Sequence, residues 1–135
     1  MAGINITDLD KVYDSGTENV VAVEGLSVDI DHGEFLVLVG PSGCGKSTTL
    51  RCLAGLEDVT EGSIAFGDQN VTDRRASERD VAMVFQNYAL YPHMTVRSNI
   101  GFGLKLSTKL TGDEIEEKVE GVAEMLGISK LLNEK

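Results

Sequence analysis

Apolar and polar positions divide this chain into short alternating segments and two runs that are apolar throughout. Ile4-Asn5-Ile6 opens an alternating strand, and residues 20–23 and 26–30 read as two more short strands. Residues 34–39 (Glu34-Phe35-Leu36-Val37-Leu38-Val39) and 81–85 (Val81-Ala82-Met83-Val84-Phe85) lack the alternation. That is the pattern of strands buried on both faces of a parallel sheet, and the second is expected at its centre. Asp31-His32-Gly33 is a tight turn into the first run. Lys46 to Gly55 reads as a helix with Leu50 and Leu53 on one face and Gly55 as its stop. Thr60-Glu61-Gly62 is a turn, Ser63 to Phe66 a short strand, and Gly67 to Asn70 a hairpin tip. Residues 72–80 are polar and charged, so a solvated loop is expected. Residues 95–106 are loosely helical, weakened by Gly101 and Gly103. The strongest helix covers 111–126. Thr111 and Glu114 can form a capping box, Ile115, Val119, Val122 and Leu126 share a face, and Gly127 ends it. Glu116, Glu117, Lys118 and Glu120 are its solvated face. The class is therefore α/β with an added antiparallel part.

Composition narrows the field. The 135 residues are one domain's worth of chain, and 41% apolar content suffices for a core. No stretch approaches the run of about 20 apolar residues that spans a bilayer. The N-terminus lacks a basic-then-apolar signal, so a cytoplasmic protein is expected. Acidic residues number 22 against 12 basic, a net charge of −10, and Lys11 is the only basic residue before residue 40. No basic stripe is present, which argues against a nucleic-acid partner. The acidic excess also fits a salt-rich cytoplasm, where ions screen self-repulsion; an ordinary acidic cytosolic protein is the alternative. Cys44 and Cys52 do not make a disulfide framework and are expected as reduced thiols.

Chemistry is concentrated where the first apolar run meets the first helix. Residues 40–48 read Gly40-Pro41-Ser42-Gly43-Cys44-Gly45-Lys46-Ser47-Thr48, a complete G-x-x-x-x-G-K-[ST] phosphate loop. Its glycines let successive N–H groups turn inward around phosphate oxygens. Lys46 reaches the β/γ-phosphates and the Ser47 hydroxyl ligates Mg²⁺. Strand, glycine loop and helix place the helix N-terminus at the phosphates. The implied ligand is a nucleoside triphosphate with its Mg²⁺.

Three weaker signals accompany the loop. Gln86 follows the second apolar run and either completes Mg²⁺ coordination while holding an attacking water, or simply ends a strand. Tyr13 lies in a polar, turn-like stretch upstream and can stack on an adenine ring. Residues 88–94 (Tyr88-Ala89-Leu90-Tyr91-Pro92-His93-Met94) are aromatic and apolar where a polar loop is expected. They form either a partner-binding patch or a loop folded onto its own core. His93 has no second ligand at metal spacing, so no metal beyond Mg²⁺ is expected.

Taken together these residues resemble the ATP-binding subunits of ABC transporters, closest to the maltose-type sugar importers. The likeness runs from residue 3 to the last residue. It rests on Tyr13, on 37–48, on Leu53-Ala54-Gly55-Leu56-Glu57, on Glu61-Gly62, and on 79–96, of which 84–93 is the most specific. Asn99 to Lys105 matches the family's next stretch. The resemblance implies a P-loop NTPase core with an antiparallel β subdomain, and a chain whose residues 1–135 are the N-terminal part of a nucleotide-binding domain. It makes Tyr13 the adenine-stacking aromatic, residues 40–48 the ATP loop, and Gln86 the Q-loop glutamine, with Ser47 and Gln86 on Mg²⁺. It makes residues 87–94 the groove wall that receives a permease helix, and a second ATP-binding subunit the dimer partner. The subunit would sit on the cytoplasmic face of the cell membrane and drive uptake of a sugar or similar solute. Arg97-Ser98 departs from the family pattern at that permease contact. A small stand-alone kinase is excluded by 84–96 and by the lack of an Arg-rich lid-like segment.

The family's Leu-Ser-Gly-Gly-Gln signature, its apolar strand ending in Asp-Glu, and its switch histidine are not found in the 135 residues. Asp113-Glu114 follows Thr111-Gly112 at a helix start instead. The expectation is an N-terminal portion that binds Mg-ATP without the groups supplying most of the rate in phosphoryl transfer. The alternative to an importer subunit is a truncated ATP-binding remnant with neither ATPase nor transport activity.

Overall fold

The computed structural model describes residues 3–88 and 90–135. Ala89, inside the expected partner segment, lies outside them. The chain forms two compact units, Met1–Met83 and Val84–Lys135.

The first unit is an antiparallel sheet with one helix. Its strands are β1 (Ile4–Asp14), β2 (Asn19–Ile30), β3 (Glu61–Phe66) and β4 (Gln69–Asn70), in the order β2-β1-β3-β4. β1 pairs with β2 from Ile4↔Ile30 to Asp14↔Asn19, and with β3 from Ile4↔Phe66 to Asp10↔Glu61. Residues 20–23 and 26–30, read as two strands, are one. The chain stays in the sheet across Gly25 because the ladder shifts register between Ile6 and Val12, and the Asp10 carboxylate accepts the Gly25 N–H. Ile6, Leu9, Val23 and Ile64 of the sheet close on Cys52 of α1 (Lys46–Ala54) and on Val71. Leu50 and Leu53, expected on one face, part company: Leu50 is 47% exposed and Leu53 packs against the core. Thr49, Cys52 and Ala54 are the buried positions of the helix.

Two expected strands are not formed. Residues 34–39 and 81–85 carry no regular structure, and Phe35 and Val84 are 88% and 89% exposed. An apolar run becomes a buried strand only when ladder partners flank it and layers cover it. Among the described residues none pairs with either run. Residues 72–80 are also not simply a solvated loop. They contain a 3₁₀ turn at Ala76–Glu78 and a buried Arg79, 7% exposed.

The second unit pairs α2 (Val96–Ser107) with α3 (Gly112–Met125). Thr95 caps α2 by accepting the Ser98 N–H at 3.2 Å. Gly101, expected only to weaken α2, lets the helices approach: a Cβ there would stand 3.3 Å from Val119 Cγ2. The capping box of α3 forms as expected, Thr111 N–H donating to Glu114 Oε2 at 2.7 Å. Its core face is Ile115, Val119 and Ala123, spaced by four, whereas Val122 and Leu126 are exposed. Leu132 completes the core. Glu116 and Glu120 are not merely solvated, since both pair with Arg97 of α2. Among the described residues no helix is long and apolar enough to cross a membrane.

Candidate functional site

The phosphate loop enters α1 through Gly45, whose φ of 89° is left-handed. A side chain there is excluded twice over, since a Cβ would stand 2.2 Å from the Ala22 carbonyl oxygen of β2. Strand β2 thus backs the loop. The Gly45 carbonyl accepts both the Thr49 N–H at 2.8 Å and the Thr49 hydroxyl at 3.0 Å, which locks the first turn of α1. Ala22, Val23, Glu24 and Leu26 of β2 border a cavity of about 290 Å³ with Leu38, Val39, Cys44, Lys46 and Thr49.

Lys46 Nζ sits inside the loop. It donates to the Gly40 carbonyl at 2.8 Å and the Pro41 carbonyl at 2.6 Å, and lies 3.3 Å from Cys44 Sγ. The N–H groups of Gly43, Gly45, Lys46, Ser47 and Thr48 find no acceptor among the described residues. A lysine held on neutral carbonyls beside several unpaired donors fits an anion. Phosphate oxygens are charged and bind both donor types more strongly than a carbonyl does. Ser47 is exposed on the first helical turn. Among the described residues no cluster of three His, Cys, Asp or Glu could cage a metal. One hydroxyl beside a phosphate site suits Mg²⁺, which keeps waters and shares its shell with phosphate oxygens.

Tyr13 lies in β1 opposite Val20, half-buried rather than in a turn, with Lys11 Nζ 4.9 Å from its ring centroid. Tyr13 and the loop belong to the same unit. Gln86 is exposed and belongs to the second unit. In that unit Tyr88 and Leu90 are exposed, and Tyr91 packs on Phe102 at 4.8 Å between ring centroids. His93 meets Tyr91 edge-on at 6.0 Å, an aromatic role.

Three residues escaped the sequence reading. Arg79 donates to the carbonyls of Cys52, Leu53, Thr72 and Arg74 at 2.7 to 2.9 Å. Burial lowers its pKa, yet a guanidinium stays charged at any physiological pH. Asn99 clasps Tyr91, accepting its N–H at 2.9 Å and donating to its carbonyl at 3.1 Å, and also bonds the Thr95 carbonyl. Lys11 ties β1 to the Asp58 carbonyl at 2.8 Å. Only Lys11 carried a signal, as the sole base in its region.

A family model described as ABC transporter matches residues 23–135. The xylose/arabinose import ATP-binding protein XacK of Haloferax volcanii is 59% identical over 136 aligned positions, covering all of this chain and 36% of its own length. The diacetylchitobiose uptake system ATP-binding protein MsiK of Streptomyces coelicolor is 53% identical, with 100% of this chain and 35% of its own length covered. The chain thus spans about a third of the length of these relatives. Among solved structures, a dimeric ATP-binding cassette in a post-hydrolysis state bound to ADP and Pi superposes with a TM-score of 0.88 and 26% identity. That match covers 98% of this chain and 61% of the cassette.

Proposed function

The chain belongs to the ABC transporter family, and we propose that it acts as the ATP-binding part of an importer, coupling ATP binding and hydrolysis to uptake of a sugar or similar solute. The observation that carries this reading is the phosphate loop, with Lys46 held on two carbonyls amid unpaired N–H groups. In this reading Lys46 moves from the Gly40 and Pro41 carbonyls to the β/γ-phosphates. Residues 40–48 wrap the phosphates, Ser47 takes Mg²⁺, Tyr13 stacks on adenine, and Gln86 is the Q-loop glutamine. The sugar-import relatives support the solute class. Exposed Tyr88 and Leu90 support residues 87–94 as the permease contact, and the dimeric cassette supports a second ATP-binding subunit as partner. The protein would then work on the cytoplasmic face of the membrane. Its net charge of −10 supports a salt-rich cytoplasm.

A second reading, an ATP-binding remnant without turnover, has one observation in its favour: among the described residues the apolar runs at 34–39 and 81–85 find no strand partner. Steady-state ATP turnover by the purified chain, compared with Lys46→Ala, separates the two. Turnover that the substitution abolishes supports the importer reading. ATP binding that Lys46→Ala abolishes, without turnover, shows that these residues hold nucleotide without hydrolysing it, and no ATP binding contradicts both.

A further inference from the structure

Lys11 projects from β1 on the same strand as Tyr13, two residues away, so the strand's period of two puts both side chains on one face. Its side chain is only 12% exposed. The ammonium has three hydrogens, and the structure gives them three neighbours. One is the Asp58 carbonyl at 2.8 Å, one is the Glu57 carboxylate at 3.5 Å, and one is the Tyr13 ring, whose centroid is 4.9 Å away. Glu57 and Asp58 follow Gly55, the C-terminal cap of α1. One cation therefore joins the Tyr13 ring to the far end of the helix that starts at the phosphate loop.

We infer that Lys11 is a positioning residue for base recognition: it braces the Tyr13 ring and so sets affinity for the nucleoside without touching the phosphates. The inference rests on the reading of Tyr13 as the base-stacking ring. Two effects follow from the geometry. A cation against one face of an aromatic ring draws on its negative quadrupole and holds the ring in a single orientation. It also leaves the ring poorer in electrons for stacking against a purine. No other Lys or Arg occurs before residue 40, so no neighbouring strand residue can take over the role. Glu57 balances the charge and fixes the ammonium where it stands.

The test measures affinities of the 135-residue chain for Mg-ATP and for Mg-tripolyphosphate, which has no base. The variants are Lys11→Met, Lys11→Arg, Tyr13→Ala and the Lys11→Met/Tyr13→Ala double variant, each assayed well below its melting temperature. Lys11→Met should weaken Mg-ATP binding about two- to five-fold, the lower range of a cation–π contact, and leave tripolyphosphate binding as it was. Lys11→Arg should restore the wild-type value. In the Tyr13→Ala background the Lys11 change should have no further effect. Equal losses for both ligands would show a helix-end role and overturn the inference. So would the same Lys11 effect with and without Tyr13, or a Tyr13 effect with no Lys11 effect. If Tyr13→Ala itself leaves Mg-ATP affinity unchanged, the base-stacking reading fails first and takes this one with it. Should Lys11→Met not fold, Lys11→Gln read against Lys11→Arg gives the same comparison.

Discussion

Arg79 Nη1 donates to the Cys52 carbonyl at 2.7 Å from within the protein interior, closing the C-terminal end of the helix whose N-terminus carries the phosphate loop. Among the described residues no carboxylate bonds this guanidinium; its acceptors are backbone carbonyls, two of them in the last turn of α1, where the helix dipole favours a cation. Gly55 at φ 71° is the C-cap, and a Cβ on it would stand 2.7 Å from Arg79 Nε. Arg79→Met removes the donors and leaves buried carbonyls unpaired, so unfolding in urea should show a loss of about 2–4 kcal/mol. Arg79→Lys should recover little, because one ammonium cannot reach acceptors spread over Cys52, Leu53, Thr72 and Arg74. A loss under about 0.5 kcal/mol would show that these bonds are replaced by water.

The two thiols should separate in alkylation. Cys44 is exposed in the loop, whereas Cys52 is buried and its thiol is pushed above its ordinary pKa by that burial. Mass spectrometry after brief treatment with iodoacetamide should find Cys44 modified and Cys52 intact. Mg-ATP should slow the Cys44 reaction, since the nucleotide would occupy the loop that holds it. Equal rates for the two thiols would contradict the packing of α1 on the sheet.

Glu114 gives the second unit a pH dependence of known sign. The Thr111 N–H, and after it the Thr111 hydroxyl, hold its carboxyl below the ordinary 4.5. A depressed pKa adds stability above the unfolded-state value and loses it as pH falls through the folded one. Helicity of α3, followed by circular dichroism from neutral pH down past 4.5, should fade in acid more steeply than in Glu114→Gln. Identical acid profiles would show that the capping box contributes nothing to α3.

Arg97 links α2 to α3 through Glu116 and through Glu120 at 3.8 Å. The groups are partly exposed, so Arg97→Met should cost only about 0.5 kcal/mol at low salt. The difference from wild type should disappear near 1 M salt, where the screening length is about 3 Å. A salt-independent loss in thermal melts would mean that the arginine's methylene stem, not its charge, is what matters.

Legibility of the fold followed how local its causes are. Gly45-Lys46-Ser47 and Thr111-x-x-Glu114 are decided by backbone conformation and groups within a few residues, so both were readable directly. The unbroken β2 was hidden because Gly25 looks like a break until the Asp10 carboxylate is seen to fill the bulge. Ala123 took the position expected of Val122 because the face that packs at Gly101, Ile115 and Val119, continues by four residues to 123 rather than by three to 122. Arg79 sat in a charged run that reads as solvated, and nothing nearby in sequence marks the distant carbonyls of Cys52 and Leu53. The runs at 34–39 and 81–85 have the composition of buried strands, but pairing is a property of neighbours, which composition does not supply. In the candidate site, the glycine loop leading into a helix at Lys46 was legible, while the contact of Lys11 with the Tyr13 ring depends on side-chain conformation, which strand alternation permits but does not dictate.

The central claim is that residues 40–48 bind the triphosphate of ATP through Lys46. Isothermal titration of the chain with Mg-ATP, beside Lys46→Ala, tests it most directly. The account predicts saturable one-to-one binding that weakens at least about ten-fold in the variant, the loss of a charge-assisted contact to phosphate. Equal affinities for the two proteins, or no binding by wild type, would contradict it.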